Sequence, residues 1–205
     1  MQEPFGTLLS LLLNLIEYTD DLSAQHVTRT TKGVAIMYDQ IVQGGKYREQ
    51  ALLWDRETIL LSSQFHDMGK IAVSDRILQK QGKLTDEEFT RMQIHTSFGL
   101  EILEKVEKTA GPSDVLLHGK RFAISHHEKW DGSGYPRGIA GEEIPLEGRI
   151  LAIVDVYDAL CSDRPYKKAF PHDQSALIIR NSSGAHFNPE LVDVFLLCQE
   201  EFRNL

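Results

Sequence analysis

The residues best suited to chemistry lie in one short stretch, residues 126–136, which reads His-His-Glu-Lys-Trp-Asp-Gly-Ser-Gly-Tyr-Pro. Two adjacent imidazoles, two carboxylates and two glycines follow no apolar period, and the Gly-x-Gly-x-Pro end cannot continue a helix. The pattern therefore predicts a helix end that carries ligands, followed by a loop shaped to hold a bound group.

Further histidines and aspartates elsewhere in the chain extend this set. Imidazole with carboxylate, and without thiolate, suits iron, manganese, zinc, nickel or cobalt. Neighbouring side chains on a helix point about 100° apart, so an adjacent His-Asp pair straddles two ions more readily than it chelates one. Because the set exceeds what one ion with an open position needs, a centre of at least two metals is predicted. The candidate ligands are His26, His66, Asp67, His95, His126, His127 and Asp155. His118, His172 and His186 lack a comparable context and are interpreted as structural or surface groups.

These ligands must be brought together by helices, because apolar positions recur at helical spacing and strand signals are weak. The segment 131–146 is rich in Gly and Pro and is predicted to be an ordered loop. The sequence thus predicts one all-α bundle over residues 1–205, whose first helix, at about 5–18, would lead in from a regulatory domain. The other helices are predicted at about 21–42, 55–65, 85–108, 114–126 and 147–161, with two more starting near 172 and 188.

Composition excludes some functions. A net charge of −8 argues against binding along a nucleic-acid backbone, which requires a basic surface. The apolar run Leu8–Ile16 is too short to span a bilayer, so no membrane association is expected. Cys161 and Cys198 have no metal-type spacing and no need to form a disulfide, and a cytoplasmic location is predicted.

Two motifs resemble those of a known family. The residues His66-Asp67-Met68-Gly69-Lys70 fit an HDxGK motif, and residues 126–136 fit HHExxDGxGYP. Residues 150–158 and 161–167 look like the aspartate helix and the RPYK segment of the same family. From about Glu17 to Phe195 the chain resembles the HD-GYP domain, a subgroup of the HD phosphohydrolase superfamily.

The resemblance implies an all-α HD-domain bundle with a GYP loop that hydrolyses the bacterial second messenger cyclic di-GMP to pGpG, or further to GMP. It implies two divalent metals, iron or manganese first, bound by His66, Asp67, His95, His126, His127 and Asp155. It also implies a substrate site lined by Lys70, Tyr135, Pro136, Arg164 and Lys167. We expect a hydroxide bridging the two ions to attack phosphorus, with Asp67 joining the ions and Lys70 reaching a phosphate oxygen.

One position departs from the family pattern. The usual Thr-Gly-x-His segment reads Ser-Ala-Gln-His at 23–26, and Leu22 stands where members with three metals carry a glutamate. We therefore expect two metals, with His26 as a weaker ligand or a substrate-side group. Asp158 shares a helix face with Asp155, and its role as ligand, supporting group or surface charge is left open.

Two other functions remain alternatives. The first is hydrolysis of another nucleotide such as cyclic GMP-AMP, and the second is a non-catalytic module that senses cyclic dinucleotides or binds partners. A receiver or sensor domain, a diguanylate cyclase and a second copy of the chain are the partners to consider.

Overall fold

The computed structural model describes residues 21–163 and 168–205, with side chains from Gln25 onward. The predicted first helix and the segment 164–167 lie outside the described residues. Within the described ranges the secondary structure is helical, apart from an isolated bridge between Ser183 and Phe187, so the all-α prediction is confirmed. The helices are α1 Asp21–Gln43, α2 Arg48–Ala51, α3 Arg56–Ser63, α4 Asp75–Leu78, α5 Asp86–Ala110, α6 Asp114–Ser125, α7 Leu146–Cys161, α8 His172–Asn181 and α9 Pro189–Phe202. Single 3₁₀ turns cover Met68–Ala72 and Gly141–Glu143.

Local signals in the sequence explain where several helices begin. Thr85 and Glu88 form a capping box at the start of α5, with each side chain bonded to the other residue's backbone. The Asn188 side chain caps α9, and Pro189 occupies its first turn. These starts agree with the prediction because side chains next to the helix determine them.

The end of α3 differs from the prediction by two residues. The α-helix ends at Ser63 rather than Phe65, because the following amides bond three residues back instead of four. Phe65 donates to the Ser62 carbonyl at 3.2 Å and His66 donates to the Ser63 carbonyl at 3.3 Å. His66 and Asp67 therefore lie in a tightened turn beyond the helix.

The core surrounds α7. The helix is buried almost continuously from Leu146 to Val154, and it packs against α1, α6, α8 and α9. A smaller cluster, which includes Phe65, Leu103 and Leu116, joins α3, α5 and α6. Apolar burial on both sides thus fixes the helices that carry the candidate ligands.

Two buried polar networks hold the amino-terminal end of α7. The Tyr47 hydroxyl accepts hydrogen bonds from Arg149 at 2.9 Å and from Asn188 at 2.7 Å. Glu147 accepts from the Nδ1 of His118 at 2.6 Å and from Arg121 at 3.0 Å. His118 is therefore a buried histidine with a carboxylate partner, as its interpretation as a structural group requires.

Over the part of the chain that the structure describes, no helix combines the length and the apolar character needed to cross a membrane. The assignment of residues 1–205 to one domain stays a prediction.

Candidate metal centre

All seven candidate ligands converge in space. In each of two groups of three, one potential ligand atom per residue lies within 4.8 Å of the others. The first group is His26, His66 and Asp67, and the second is His95, His126 and His127. Asp155 joins the first group, since its Oδ1 lies 3.5 Å from the Nε2 of His26. The predicted set is thus brought together, including His26, whose role the sequence left open.

The ligands come from separate elements that must approach closely. His26 and Asp155 lie on α1 and α7, His66 and Asp67 in the turn after α3, His95 in α5, and His126 and His127 at the end of α6.

Gly69 explains how the turn after α3 reaches α5. A Cβ at this position would lie 1.9 Å from the carbonyl oxygen of His95 and 2.5 Å from the nitrogen of Gly99. The glycine of the HDxGK motif is therefore needed for backbone packing that places Asp67 beside His95.

In the second group, the backbone orients two imidazoles. The Nδ1 of His95 donates to the carbonyl of Met92 at 2.7 Å, and the Nδ1 of His126 donates to the carbonyl of Phe122 at 3.0 Å. Because a carbonyl only accepts, Nδ1 carries the proton and Nε2 presents a lone pair. The two Nε2 atoms face each other at 3.4 Å.

In the first group, one imidazole is oriented by the backbone and the other by a side chain. The Nδ1 of His66 donates to the carbonyl of Ser63 at 2.8 Å, whereas the Nδ1 of His26 donates to the carboxylate of Asp158 at 2.8 Å. The two Nε2 atoms again face each other, at 3.3 Å.

Two facing imidazole nitrogens are stable when one donates a proton to the other or when both bind a cation. Imidazole nitrogens lie about 2.0–2.1 Å from a zinc ion, so two of them on one ion fall at about the separations seen here. Each pair of nitrogens is thus arranged for a shared cation, and two pairs make places for two cations.

Asp67 belongs to the first group and also faces the second. Its Oδ2 is 3.3 Å from the Nε2 of His66, and its Oδ1 is 3.5 Å from the Nε2 of His95. Among the described residues Oδ1 is fully buried and has no hydrogen-bond partner. A buried carboxylate oxygen without a donor is costly, and a cation would compensate it, so the donor set fits a metal on each side of this carboxylate.

The two groups differ in charge. Burial lowers the pKa of His95, lowers that of His126 well below its usual value and lowers that of His127 to about 4. Burial also lowers the pKa of His26, but hydrogen bonds to Asp158 and Asp67 outweigh it and raise the pKa to about 9. The second group is therefore neutral at neutral pH. In the metal-free protein His26 is protonated at neutral pH, so a cation bound at its Nε2 would displace that proton.

Lys70 supplies positive charge to the same carboxylate. Its ammonium contacts the Oδ2 of Asp67. Burial raises the pKa of Asp67, yet Lys70 and His66 hold it well below its usual range. Asp67 is therefore ionised although its carboxylate is buried.

Arg29 is a residue of the centre that the sequence reasoning missed. Its guanidinium grips both oxygens of Asp158, through a short Nε contact and through Nη2 at 3.1 Å, and it also donates to Ser162 at 3.1 Å. Asp158 in turn holds His26. The signal was available, because Arg29 lies three residues after His26 on one helix face, but an arginine on a helix is usually a surface residue.

The loop after His127 lies against the centre. Gly132 has φ +81°, and a Cβ on Gly134 would lie 2.3 Å from the nitrogen of Lys129, so one glycine provides a left-handed backbone and the other a close approach. Glu128 is buried, and its Oε1 accepts from the nitrogen of Arg137 at 2.7 Å. The loop is therefore ordered, as its composition predicts.

Two of the predicted substrate residues lie on this loop. The ring of Tyr135 lies 4.8 Å from that of His127 with 30° between the planes, and burial raises the pKa of its hydroxyl. Pro136 is exposed and follows Tyr135 through a cis peptide bond. Arg164 and Lys167 lie outside the described residues.

Comparison with known proteins identifies the family to which the chain belongs. The HD domain family model matches residues 16–191. The chain is 43% identical over 188 residues to a cyclic di-GMP phosphodiesterase of Vibrio cholerae, covering 92% of this chain and 38% of the relative. It is 38% identical over 188 residues to the cyclic di-GMP phosphodiesterase response regulator RpfG of Xanthomonas campestris, covering 92% and 46%. It is 36% identical over 202 residues to 3'3'-cGAMP-specific phosphodiesterase 2 of Vibrio cholerae, covering 98% and 36%.

The chain therefore spans less than half the length of these relatives. A crystal structure of a cyclic GMP-AMP-specific phosphodiesterase from V. cholerae superposes with a TM-score of 0.53 at 17% identity, covering 96% of this chain and 48% of that one, and shares its fold. The match over residues 16–191, the helical fold and the His-Asp pair at the centre of the ligands confirm the resemblance seen in the motifs. The chain belongs to the HD domain family.

Proposed function

We propose that this chain is a metal-dependent phosphodiesterase that hydrolyses cyclic di-GMP to pGpG, with GMP as an alternative end product. The observation that carries the proposal is the pair of facing imidazoles on each side of the Asp67 carboxylate. Relatives named as cyclic di-GMP phosphodiesterases, up to 43% identical, support the choice of substrate.

Two divalent ions would be held by His26, His66, Asp67 and Asp155 on one side and by Asp67, His95, His126 and His127 on the other. Iron and manganese are proposed first, because imidazole with carboxylate suits them, with zinc, nickel and cobalt as alternatives. Such ions lower the pKa of water to about 7 and neutralise charge on phosphoryl oxygens.

The residues of the chain prepare the centre for that chemistry. Neutral His95, His126 and His127 offer their lone pairs at neutral pH, because burial has lowered their pKa values. Asp67 fixes the spacing between the two groups, since each of its oxygens faces a different group.

Lys70 and Tyr135 are placed to meet a phosphodiester. The Lys70 ammonium lies at Asp67, where it can turn towards a phosphate oxygen when other cations neutralise the carboxylate. The Tyr135 hydroxyl remains protonated at neutral pH because burial raises its pKa, so it can donate a hydrogen bond.

Cyclic GMP-AMP is a second candidate substrate. Three relatives, 34–36% identical, are named as 3'3'-cGAMP-specific phosphodiesterases. The two substrates differ in one base and share the phosphodiester chemistry, so the metal centre by itself suits both.

The test is product analysis under anaerobic conditions with protein loaded with Fe(II) or Mn(II). Cyclic di-GMP and cyclic GMP-AMP are incubated separately, and linear products are separated by chromatography, with Asp67→Ala as the inactive control. We expect pGpG or GMP to accumulate with the wild type alone. Tight binding of cyclic di-GMP without cleavage would instead make the chain a sensing module.

The proposed activity also bears on cellular location and protein partners. A cytoplasmic location suits a hydrolase of an intracellular messenger. A regulatory receiver or sensor domain, a diguanylate cyclase partner and a homodimer are proposals that pull-down and light-scattering measurements would test.

A further inference from the structure

Phe89 is an exposed aromatic residue beside the metal centre. It lies in the first turns of α5, and 46% of its surface is accessible. Of the large apolar side chains exposed in the described part of the chain, it is the one that carries an aromatic ring. Neither core cluster defined by the described residues includes it. A single exposed apolar side chain is ordinary on a protein surface, so exposure alone says nothing about Phe89, and its neighbours decide what the ring can do.

The ring has a specific neighbour. Its centroid lies 5.9 Å from that of Tyr135, with 83° between the planes, the edge-to-face geometry that aromatic pairs favour. Tyr135 stacks in turn against His127 at 4.8 Å. Aromatic rings therefore run without a break from a metal-binding imidazole to the surface, and Phe89 is the outermost of them.

The two outer rings offer different surfaces. Tyr135 is partly buried, and its ring contacts both His127 and Phe89. Phe89 contacts Tyr135, and 46% of its surface remains accessible to solvent. A partly exposed phenyl ring next to a centre suited to phosphate matches a flat aromatic group attached to that phosphate.

We propose that Phe89 is a stacking platform for one purine base of the cyclic dinucleotide. This inference rests on the proposed function, because the phosphodiester must lie at the metal centre for a base to reach Phe89. Stacking on an aromatic side chain accepts any base, since every base has a π face. Phe89 would thus contribute affinity for the dinucleotide while other residues distinguish guanine from adenine.

The experiment compares ligands with and without a base. Binding of GMP and of ribose 5-phosphate to the Mn(II)-loaded protein is measured by calorimetry for the wild type, Phe89→Ala, Phe89→Tyr and Leu53→Ala. Leu53 is 85% exposed and serves as the matched surface control. Metal content and thermal unfolding are measured for each variant to verify that the centre and the fold are intact.

We expect Phe89→Ala to weaken GMP binding roughly 5- to 100-fold, the range for the loss of one base–aromatic stack. Binding of ribose 5-phosphate should not change, Phe89→Tyr should retain wild-type affinity, and Leu53→Ala should have no effect. In turnover of cyclic di-GMP, the same loss should appear in KM with kcat little changed.

Two results would overturn the inference. One is unchanged GMP affinity in Phe89→Ala, and the other is an equal loss for ribose 5-phosphate, which would show that the ring only supports Tyr135. Failure of the wild type to cleave any cyclic dinucleotide would overturn the proposed function instead. The calorimetric comparison needs no turnover, so the two failures are distinguishable.

Discussion

The buried histidines of this protein fall into two kinds, although they lie on neighbouring helices. His118 in α6 is buried, bonds through Nδ1 to the Glu147 carboxylate and packs edge to face on Trp54. His95 and His126 are as deeply buried, but each bonds through Nδ1 to a backbone carbonyl and directs Nε2 at the other's Nε2. Burial therefore does not identify a ligand. The feature that marks a candidate ligand is an Nε2 atom that faces the Nε2 atom of a second imidazole.

The same comparison separates His26 from the other histidines of the centre. Backbone carbonyls orient His66, His95 and His126, and substitution does not remove a carbonyl. His26 is oriented by Asp158, which Arg29 holds. One candidate ligand therefore depends on a side-chain network that single substitutions can break, whereas the orientation of the others depends mainly on the backbone.

The largest effect is expected at Asp67. Asp67→Ala removes the carboxylate that faces both groups, so each of the two proposed metal sites would lose a ligand. We expect loss of turnover beyond the about 10²–10³-fold typical for one transition-state donor, together with loss of bound metal. Elemental analysis and product chromatography measure the two effects.

The matched variant for Asp67→Ala is His118→Gln, which changes a buried histidine of the other kind. It should keep its metal and its activity per folded molecule. If Asp67→Ala retained two ions per chain, Asp67 would not join the two groups.

A smaller effect is expected at Arg29. Arg29→Ala leaves Asp158 with one fewer partner and frees the ring of His26, so metal affinity should fall about 10- to 100-fold at one of the two places. Metal titration by calorimetry should show one weakened and one unchanged binding event.

The chain provides a matched control for Arg29. Arg56 grips Asp39 in the same two-pronged way, at 2.8 and 2.7 Å, but on the exposed surface between α1 and α3. Arg56→Ala should leave both binding events unchanged. Equal weakening of both events in Arg29→Ala would mean that Arg29 supports the bundle and not His26.

The sequence predicted most of this centre because many of the candidate ligands lie in motifs that can be recognised from residue type and spacing alone. It predicted helix starts well where a side chain defines them, as at Thr85 and Asn188. It missed the four-residue helices α2 and α4, which are too short to show an apolar period and depend on tertiary contacts.

Two features of the centre could not be predicted from the sequence and were recognised in the structure. Arg29 matters through Asp158, which is 129 positions away in sequence, so no local pattern connects them. Gly69 belongs to a motif, but the need for a glycine there comes from the close approach of the His95 carbonyl in another helix. Long-range contacts, not residue types, supplied what the sequence lacked.

The pair of His118 and Glu147 leads to a prediction about how the free energy of unfolding depends on pH. Burial raises the pKa of Glu147, but hydrogen bonds from His118 and Arg121 outweigh it and leave the pKa below its usual 4.5. A carboxyl with a lowered folded-state pKa contributes stability above pH 4.5, and that contribution disappears as the pH falls through the lowered value.

Glu147→Gln should therefore lower the free energy of unfolding by about 1–3 kcal/mol at pH 7, and should flatten its decline below pH 4.5. Chemical denaturation of the metal-free protein at pH 7 and pH 4 measures both. Metal content at pH 7 should be unchanged. A loss of metal in Glu147→Gln would contradict the conclusion that His118 and Glu147 have a structural role separate from the metal centre.

The smallest effect is expected at Tyr135, where the metal centre meets the loop. Tyr135→Phe keeps the ring between His127 and Phe89 and removes only the hydroxyl, so metal content should not change. Loss of one hydrogen bond to the substrate should raise KM for cyclic di-GMP roughly threefold to tenfold. Tyr135→Ala also removes the ring on which Phe89 rests, and its KM should rise further, again with metal retained. Steady-state kinetics and elemental analysis on both variants separate the outcomes, because a metal deficit in Tyr135→Phe would make the loop part of the scaffold that holds His127.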